Sequence, residues 1–184
     1  LQTIEGYAFS KTKIKEIYFP SSLKELKEGW CSNISNLEKI IISPSNGQFK
    51  FIDDKYLIGK SESNNTEFDT LLFVRRDLNE FSIPSNIKII SSKLFSNCKN
   101  LIKVEIPTNS NLQTIESHAF SSSNIESIFI PPKVTKICEY AFFICRNLIK
   151  VEIPPNSNLQ TIESHAFDES NIESIFIPPK VTTI

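Results

Sequence analysis

Apolar and polar positions follow one another along this chain in a fixed order: L-x-x-I-x-x-x-A-F, a short polar bridge, then L/I-x-x-I-x-I-P. The second half alternates. In Ile125–Pro131, Ile128 and Ile130 point one way and Ser127 and Phe129 the other. β-Branched residues dominate it and proline, which has no N–H for a ladder, closes it; the pattern predicts a strand. The first half, such as Ile115–Phe120, has its apolar residues at Ile115, Ala119 and Phe120. That spacing predicts one or two helical turns, too short to stand alone. No unit can bury its own apolar face, but stacked units can, with strands ~4.8 Å apart in a parallel ladder.

The order repeats. Residues 110–137 and 157–184 agree at 25 of 28 positions, differing only at Ser121/Asp168, Ser122/Glu169 and Lys136/Thr183, at an offset of 47. Each 47-residue block is two units of 25 and 22. Aligned on the first apolar position, eight units begin at Leu1, Leu23, Phe49, Ile87, Leu112, Val134, Leu159 and Val181. The third keeps Phe49–Ile52 at its front, has Tyr56-Leu57 in place of Ala-Phe, and runs 38 residues to Ile87, so about 16 residues are inserted within 58–77. The last unit stops four residues in, at Ile184, and the first starts on a core position. Since solenoids normally carry polar caps, this reads as a stretch of a longer array.

Val134–Pro154 fits the pattern best, and through it the chain resembles the BspA-like leucine-rich repeat family of bacterial and protozoan-parasite surface proteins. The second unit departs from the family repeat, with Trp30-Cys31 for Ala-Phe and an extra Ser43 before Pro44. The resemblance implies an α/β repeat: one right-handed solenoid over 1–184, a parallel β-sheet on its concave face, short helical turns and loops on its convex face. It also implies an inserted hairpin over 54–77, with Tyr56–Ile58 and Leu71–Val74 as strands and 61–67 as tip. It further implies a surface or secreted location, while the repeat itself is a scaffold and not a site.

On an in-register ladder, one outward column reads Tyr18, Ile41, Ser82, Glu105, Phe129, Glu152, Phe176, and its neighbour Glu16, Lys39, Glu80, Lys103, Ser127, Lys150, Ser174. Rigidly held aromatics are good anchors for a partner, so Phe129 and Phe176 are the candidate anchors, with Tyr18, Ile41, Lys103, Glu105, Lys150 and Glu152 around them. Against this stands the fact that isolated surface aromatics are ordinary, and that duplication copies a phenylalanine without selecting it.

Composition narrows the function classes. In 184 residues, 40% apolar and 22% charged, 20 basic residues face 21 acidic ones. That balance argues against attraction to nucleic acid or anionic membrane. The longest apolar run, Tyr140–Cys145, is far too short to cross a bilayer as a helix. With four Gly, two His and no phosphate-loop, nucleophile-elbow or zinc-protease motif, no catalytic, cofactor or metal site is expected. Asp53-Asp54 and Asp168-Glu169 lie in polar runs that read as solvated surface. His118 and His165 are repeat copies two units apart and read as turn residues. Cys98 and Cys145, ~10 Å apart on such a ladder, cannot bridge and read as small buried residues; a Cys138–Cys145 bridge is conceivable, and Cys31 has no mate. Asn33 and Asn64 head N-x-S/T sequons, relevant only to a secreted eukaryotic chain. The expected function is a non-catalytic protein-binding module, the repeat region of a cell-surface or secreted adhesin for host or matrix components. The alternative is an intracellular protein–protein interaction scaffold.

Overall fold

The computed structural model describes residues 1–184. The chain winds as a solenoid whose turns each carry a short front strand and a longer back strand. The first turn supplies β1 (Thr3–Ile4) and β2 (Glu16–Phe19), the second β3 (Glu25–Leu26) and β4 (Lys39–Ile42). The third is expanded into β5 (Phe49–Ile52), β6 (Tyr56–Gly59), β7 (Thr70–Val74) and β8 (Glu80–Ser82). The later turns supply β9 (Ile89–Ile90) and β10 (Lys103–Glu105), β11 (Thr114–Ile115) and β12 (Ser127–Phe129), β13 (Lys136–Ile137) and β14 (Lys150–Glu152), and finally β15 (Thr161–Ile162).

Front strands stack in parallel. Ile90, Ile115, Ile137 and Ile162 lie side by side, and all are buried. The third turn joins this ladder through an antiparallel meander, giving a seven-stranded sheet in the order β15-β13-β11-β9-β7-β6-β5. The place beside β9 is held by Thr70-Leu71, not by Phe49–Ile52, which forms the far strand of the meander. Back strands pair in parallel as β2-β4, β8-β10 and β12-β14. Proline ends most of them and starts a tight turn: its carbonyl accepts the N–H three residues on, as from Leu23 to Pro20 and Val134 to Pro131, both 3.1 Å. The longer connectors need a further acceptor. Buried Ser110 and Ser157 hydroxyls take the Leu112 and Leu159 N–H groups at 3.1 Å, and buried Asn46 Oδ1 takes those of Gln48 and Phe49.

The helical turns expected in the front half of each unit, as over Ile115–Phe120, are absent: Ile115 closes β11, the residues after it form tight turns, and the structure contains no helix. Each of these segments instead holds two left-handed residues four apart: Lys93 and Asn97, His118 and Ser122, Tyr140 and Ile144, His165 and Glu169. Left-handed non-glycine residues cost ~1 kcal/mol each and interrupt any right-handed helix. What compensates is lateral bonding. Phe95 N–H reaches the Ala119 carbonyl at 2.7 Å, Phe120 that of Ala141 at 2.8 Å, and Phe142 that of Ala166 at 2.7 Å. The same geometry stacks Phe95, Phe120, Phe142 and Phe167 face to face, centroids 4.8, 5.0 and 5.1 Å apart.

The meander divides the core. Leu57 and Phe73 pack with the first two turns around Trp30, which also meets Phe9 and Phe19 edge-on. Ile58, Leu71 and Val74 pack with the later turns.

Candidate binding face

The outward side chains of the back strands are placed by strand register. Tyr18 lies opposite Ile41 and Glu16 opposite Lys39, whose charged groups are 3.7 Å apart. Ser82 faces Glu105 and Glu80 faces Lys103; Phe129 faces Glu152 and Ser127 faces Lys150. Alternate residues Phe81, Val104, Ile128 and Val151 turn inward and are buried, which is what commits their neighbours to the outer face.

The ladder is not continuous. β10 and β12 are neighbours that share no strand pairing, and a shallow groove of about 600 Å³ crosses the face here from β8 to β14, lined by Ser82, Lys103, Glu105, Thr108, Phe129 and Glu152, among others. The structure thus gathers Lys103, Glu105, Phe129 and Glu152 into one concavity. Lys150 borders it and pairs with Glu152. Lys103 pairs with Glu105 at 2.5 Å, and that hydrogen bond raises the Lys103 pKa. Pairs this exposed add little stability; they leave a charge-balanced rim around the Phe129 ring. Phe176 is not part of the groove. It lies outside any strand and is 51% exposed. Tyr18, 59% exposed, and Ile41 sit on the first pair of back strands, apart from the groove. Ile102 and Ile149, each just before a lysine of the outward column, are also exposed; alternation alone does not reveal them, because they precede the strands.

Other candidate chemistry is placed as follows. All four thiols are free and buried, so no Cys138–Cys145 bridge is formed. Burial pushes Cys31 up to about 12; burial, helped by Glu116, does the same to Cys138; burial also raises Cys145. None of these is a thiolate nucleophile. His118 and His165 sandwich Tyr140, with centroids 4.9 and 4.8 Å apart and rings nearly parallel. This column was readable, since the three occupy one repeat position, but His–His separation alone conceals the ring between. No group of three or more His, Cys, Asp or Glu side chains is arranged to hold a metal ion. Asp53 and Asp54 form the left-handed β5-β6 turn. Asn64 is exposed near the tip of the meander, whereas the Asn33 side chain accepts a hydrogen bond from Asn97 at 2.7 Å. No helix is long and apolar enough to cross a membrane.

Stacked front and back ladders, a repeat of 22 or 25 residues and an outward column of mixed aromatic and charged residues define a leucine-rich-repeat solenoid. The chain belongs to the family described as the BspA type leucine rich repeat region, whose model matches six copies over residues 1–60 and 66–184. No curated protein matches it. Among solved structures it is similar to a leucine rich cell surface protein from Faecalibacterium prausnitzii, with TM-score 0.66 and 22% identity over 100% of this chain and 50% of that one. It is also similar to a leucine-rich repeat protein from Eubacterium ventriosum, with TM-score 0.68 and 23% identity over 98% and 59%. The pneumococcal vaccine antigen PcpA follows at TM-score 0.65 and 16% identity, over 100% and 54%. At such identities the likeness shows the fold. The chain spans half to three fifths of the length of these proteins.

Proposed function

We propose that the chain is a non-catalytic protein-binding module of a cell-surface or secreted adhesin, with a host surface or matrix protein seated on its back-strand face. The observation that carries this reading is the placement of two copied phenylalanines. Phe129 lines the charge-balanced groove, and Phe176, its repeat copy, stands half exposed further along the array. Tyr18, Ile41, Lys103, Glu105, Lys150 and Glu152 extend the same face. A preformed solenoid face loses little conformational entropy on binding, so a few aromatic anchors suffice. Family membership and a cell-surface relative support the surface location.

The test is binding of the purified chain to intact epithelial cells and to immobilised matrix proteins, beside a Phe129→Asp/Phe176→Asp variant whose fold is checked by circular dichroism. Saturable binding lost in the folded variant supports the reading. Binding that survives the substitutions moves the site off this face, and absence of wild-type binding removes the adhesin role.

A further inference from the structure

At the turn edge of the solenoid the lateral bonding skips a step. Phe9 and Lys11 N–H groups reach the Trp30 and Ser32 carbonyls at 2.9 and 3.2 Å, and Phe95 and Asn97 those of Ala119 and Ser121 at 2.7 and 2.9 Å. The N–H groups of Gly29, Cys31 and Asn33, which hold the corresponding positions in the second turn, make no such bond, because the third turn is spent on the meander. Arg76, two residues beyond β7, comes in beside the gap. Its guanidinium donates to the Leu94 carbonyl and to Cys98 Sγ, and lies 5.8 Å from the Phe73 ring.

The charge of Arg76 is unanswered. No carboxylate pairs with it, and its Nε is buried without a partner. Asp77, the one acid lining the site, is held by Arg75 at 2.5 Å. A cavity of about 340 Å³ opens here, lined by Arg76, Lys99, Asn33, Asn97, Asn100 and Asp77 among others. Lys99 is bonded only to the Ser122 carbonyl at 2.6 Å and also lacks an acid. A half-buried cation without a counter-ion loses part of its hydration without compensation, and a guanidinium fork suits an oxyanion geometrically.

We infer that this cavity binds an oxyanion of the sulfate or phosphate class, with Arg76 as counter-ion and Lys99 as the second charge. The site is separate from the back-strand face and stands or falls independently of it. The ligand is either the free ion or the same group carried on a sulfated glycan.

The experiment follows the Arg76 Nε–H resonance of the intact chain by NMR during titration with sodium sulfate, against sodium chloride at equal ionic strength, and with a heparin-type sulfated oligosaccharide. The expected result is a saturable shift with sulfate and none with chloride. An oligosaccharide at least tenfold tighter than free sulfate identifies the glycan as source; equal affinity identifies the free ion. Arg76→Gln, checked for fold by circular dichroism, loses at least tenfold in sulfate affinity by calorimetry, and Arg146→Gln on the exposed surface loses none. Equal shifts with sulfate and chloride, or equal sulfate affinity in Arg76→Gln, overturn the proposal.

Discussion

Glu28 and Lys93, from the second and fourth turns, form an ion pair at 2.7 Å, and Ser92 donates to the same carboxylate at 2.9 Å. They meet because the third turn leaves the turn edge to build its meander. The hydrogen bond from Lys93 holds the Glu28 carboxyl below its ordinary value of 4.5. A carboxyl whose folded pKa is depressed stabilises fully above its unfolded pKa, and the benefit is lost as pH falls through the folded one. Glu28→Gln is therefore expected to cost up to ~1 kcal/mol at neutral pH, since the pair is partly exposed. The gap from wild type closes as the pH drops below 4.5. Urea unfolding at pH 7 and pH 3 measures both.

His118 carries a second pH signature. Burial, and then the nearby Lys93 charge, lower its pKa from 6.5, against weaker opposition from Glu28 and Glu139. Its neutral form is favoured in the fold, so stability is complete above pH 6.5 and falls below it as the unfolded chain takes up the proton first. A proton NMR titration is expected to place His118 below 6.5, and His118→Phe, which keeps the stack on Tyr140, to flatten that part of the stability profile. A His118 midpoint at or above 6.5 rejects this account.

Much of this architecture is legible in the residues. Ile128 and Ile130 alternate with Ser127 and Phe129, and a period of two admits one register, so the outward columns read directly from the chain. Repetition at 47 residues then carries that reading from turn to turn. The spacing of Ile115, Ala119 and Phe120 pointed to helical turns that the structure does not contain. The same spacing also suits a pair of tight turns, and left-handed His118 or Tyr140 leaves no mark in sequence; only Gly29, at the same position, hints at it. The skipped step was concealed further, because Phe49–Ile52 looks as strand-like as Thr70–Val74 and only the ladder decides which one lies beside Ile89. Arg76 therefore gave no sign of its gap, although the missing Ala-Phe of the third unit marks where the turn edge fails. Binding partners are written in no repeat, since the outward column is the part that stacking leaves free to vary.

The phenylalanine column sets the scale of core stability. Phe120 is fully buried and stacked on both sides, at 4.8 Å to Phe95 and 5.0 Å to Phe142. Phe120→Ala is expected to cost ~3–5 kcal/mol from lost burial plus a cavity that rigid neighbours cannot fill. Phe167, half-buried and stacked on Phe142 alone, is expected to cost clearly less. Equilibrium denaturation compares them, and equal losses would show that stacking contributes nothing beyond local contact.

Thiol reactivity tests the burial of the turn cysteines. With Cys31 and Cys138 pushed up to about 12, and Cys145 raised, these thiols stay protonated near neutrality and out of solvent. An aromatic disulfide reagent at pH 8 is expected to leave all three unlabelled in the native chain and to modify all four cysteines in denaturant. Rapid native labelling of any of the three would contradict the packing.

Gly59 and Leu72 test how the meander is keyed into the solenoid. Leu57 pairs with Phe73 and Ile58 with Leu71, so Leu72 is the extra residue of a β-bulge. Its side chain crosses over Gly59: a Cβ added there would lie 2.5 Å from Leu72 Cδ1 and 3.1 Å from the ring of buried Phe49. Both neighbours cannot yield equally. The end of the half-buried Leu72 side chain can rotate away, but Phe49 is packed against Phe19 at 5.6 Å. Gly59→Ala is therefore expected to destabilise by ~1–3 kcal/mol through overpacking. Leu72→Ala alone removes contacts and also destabilises. Combined, the two substitutions relieve the main overlap, so the double variant is expected to lose less than the sum of the single losses. A double-mutant cycle by urea unfolding measures that difference, and strict additivity would mean that Leu72 does not lie over Gly59 in solution.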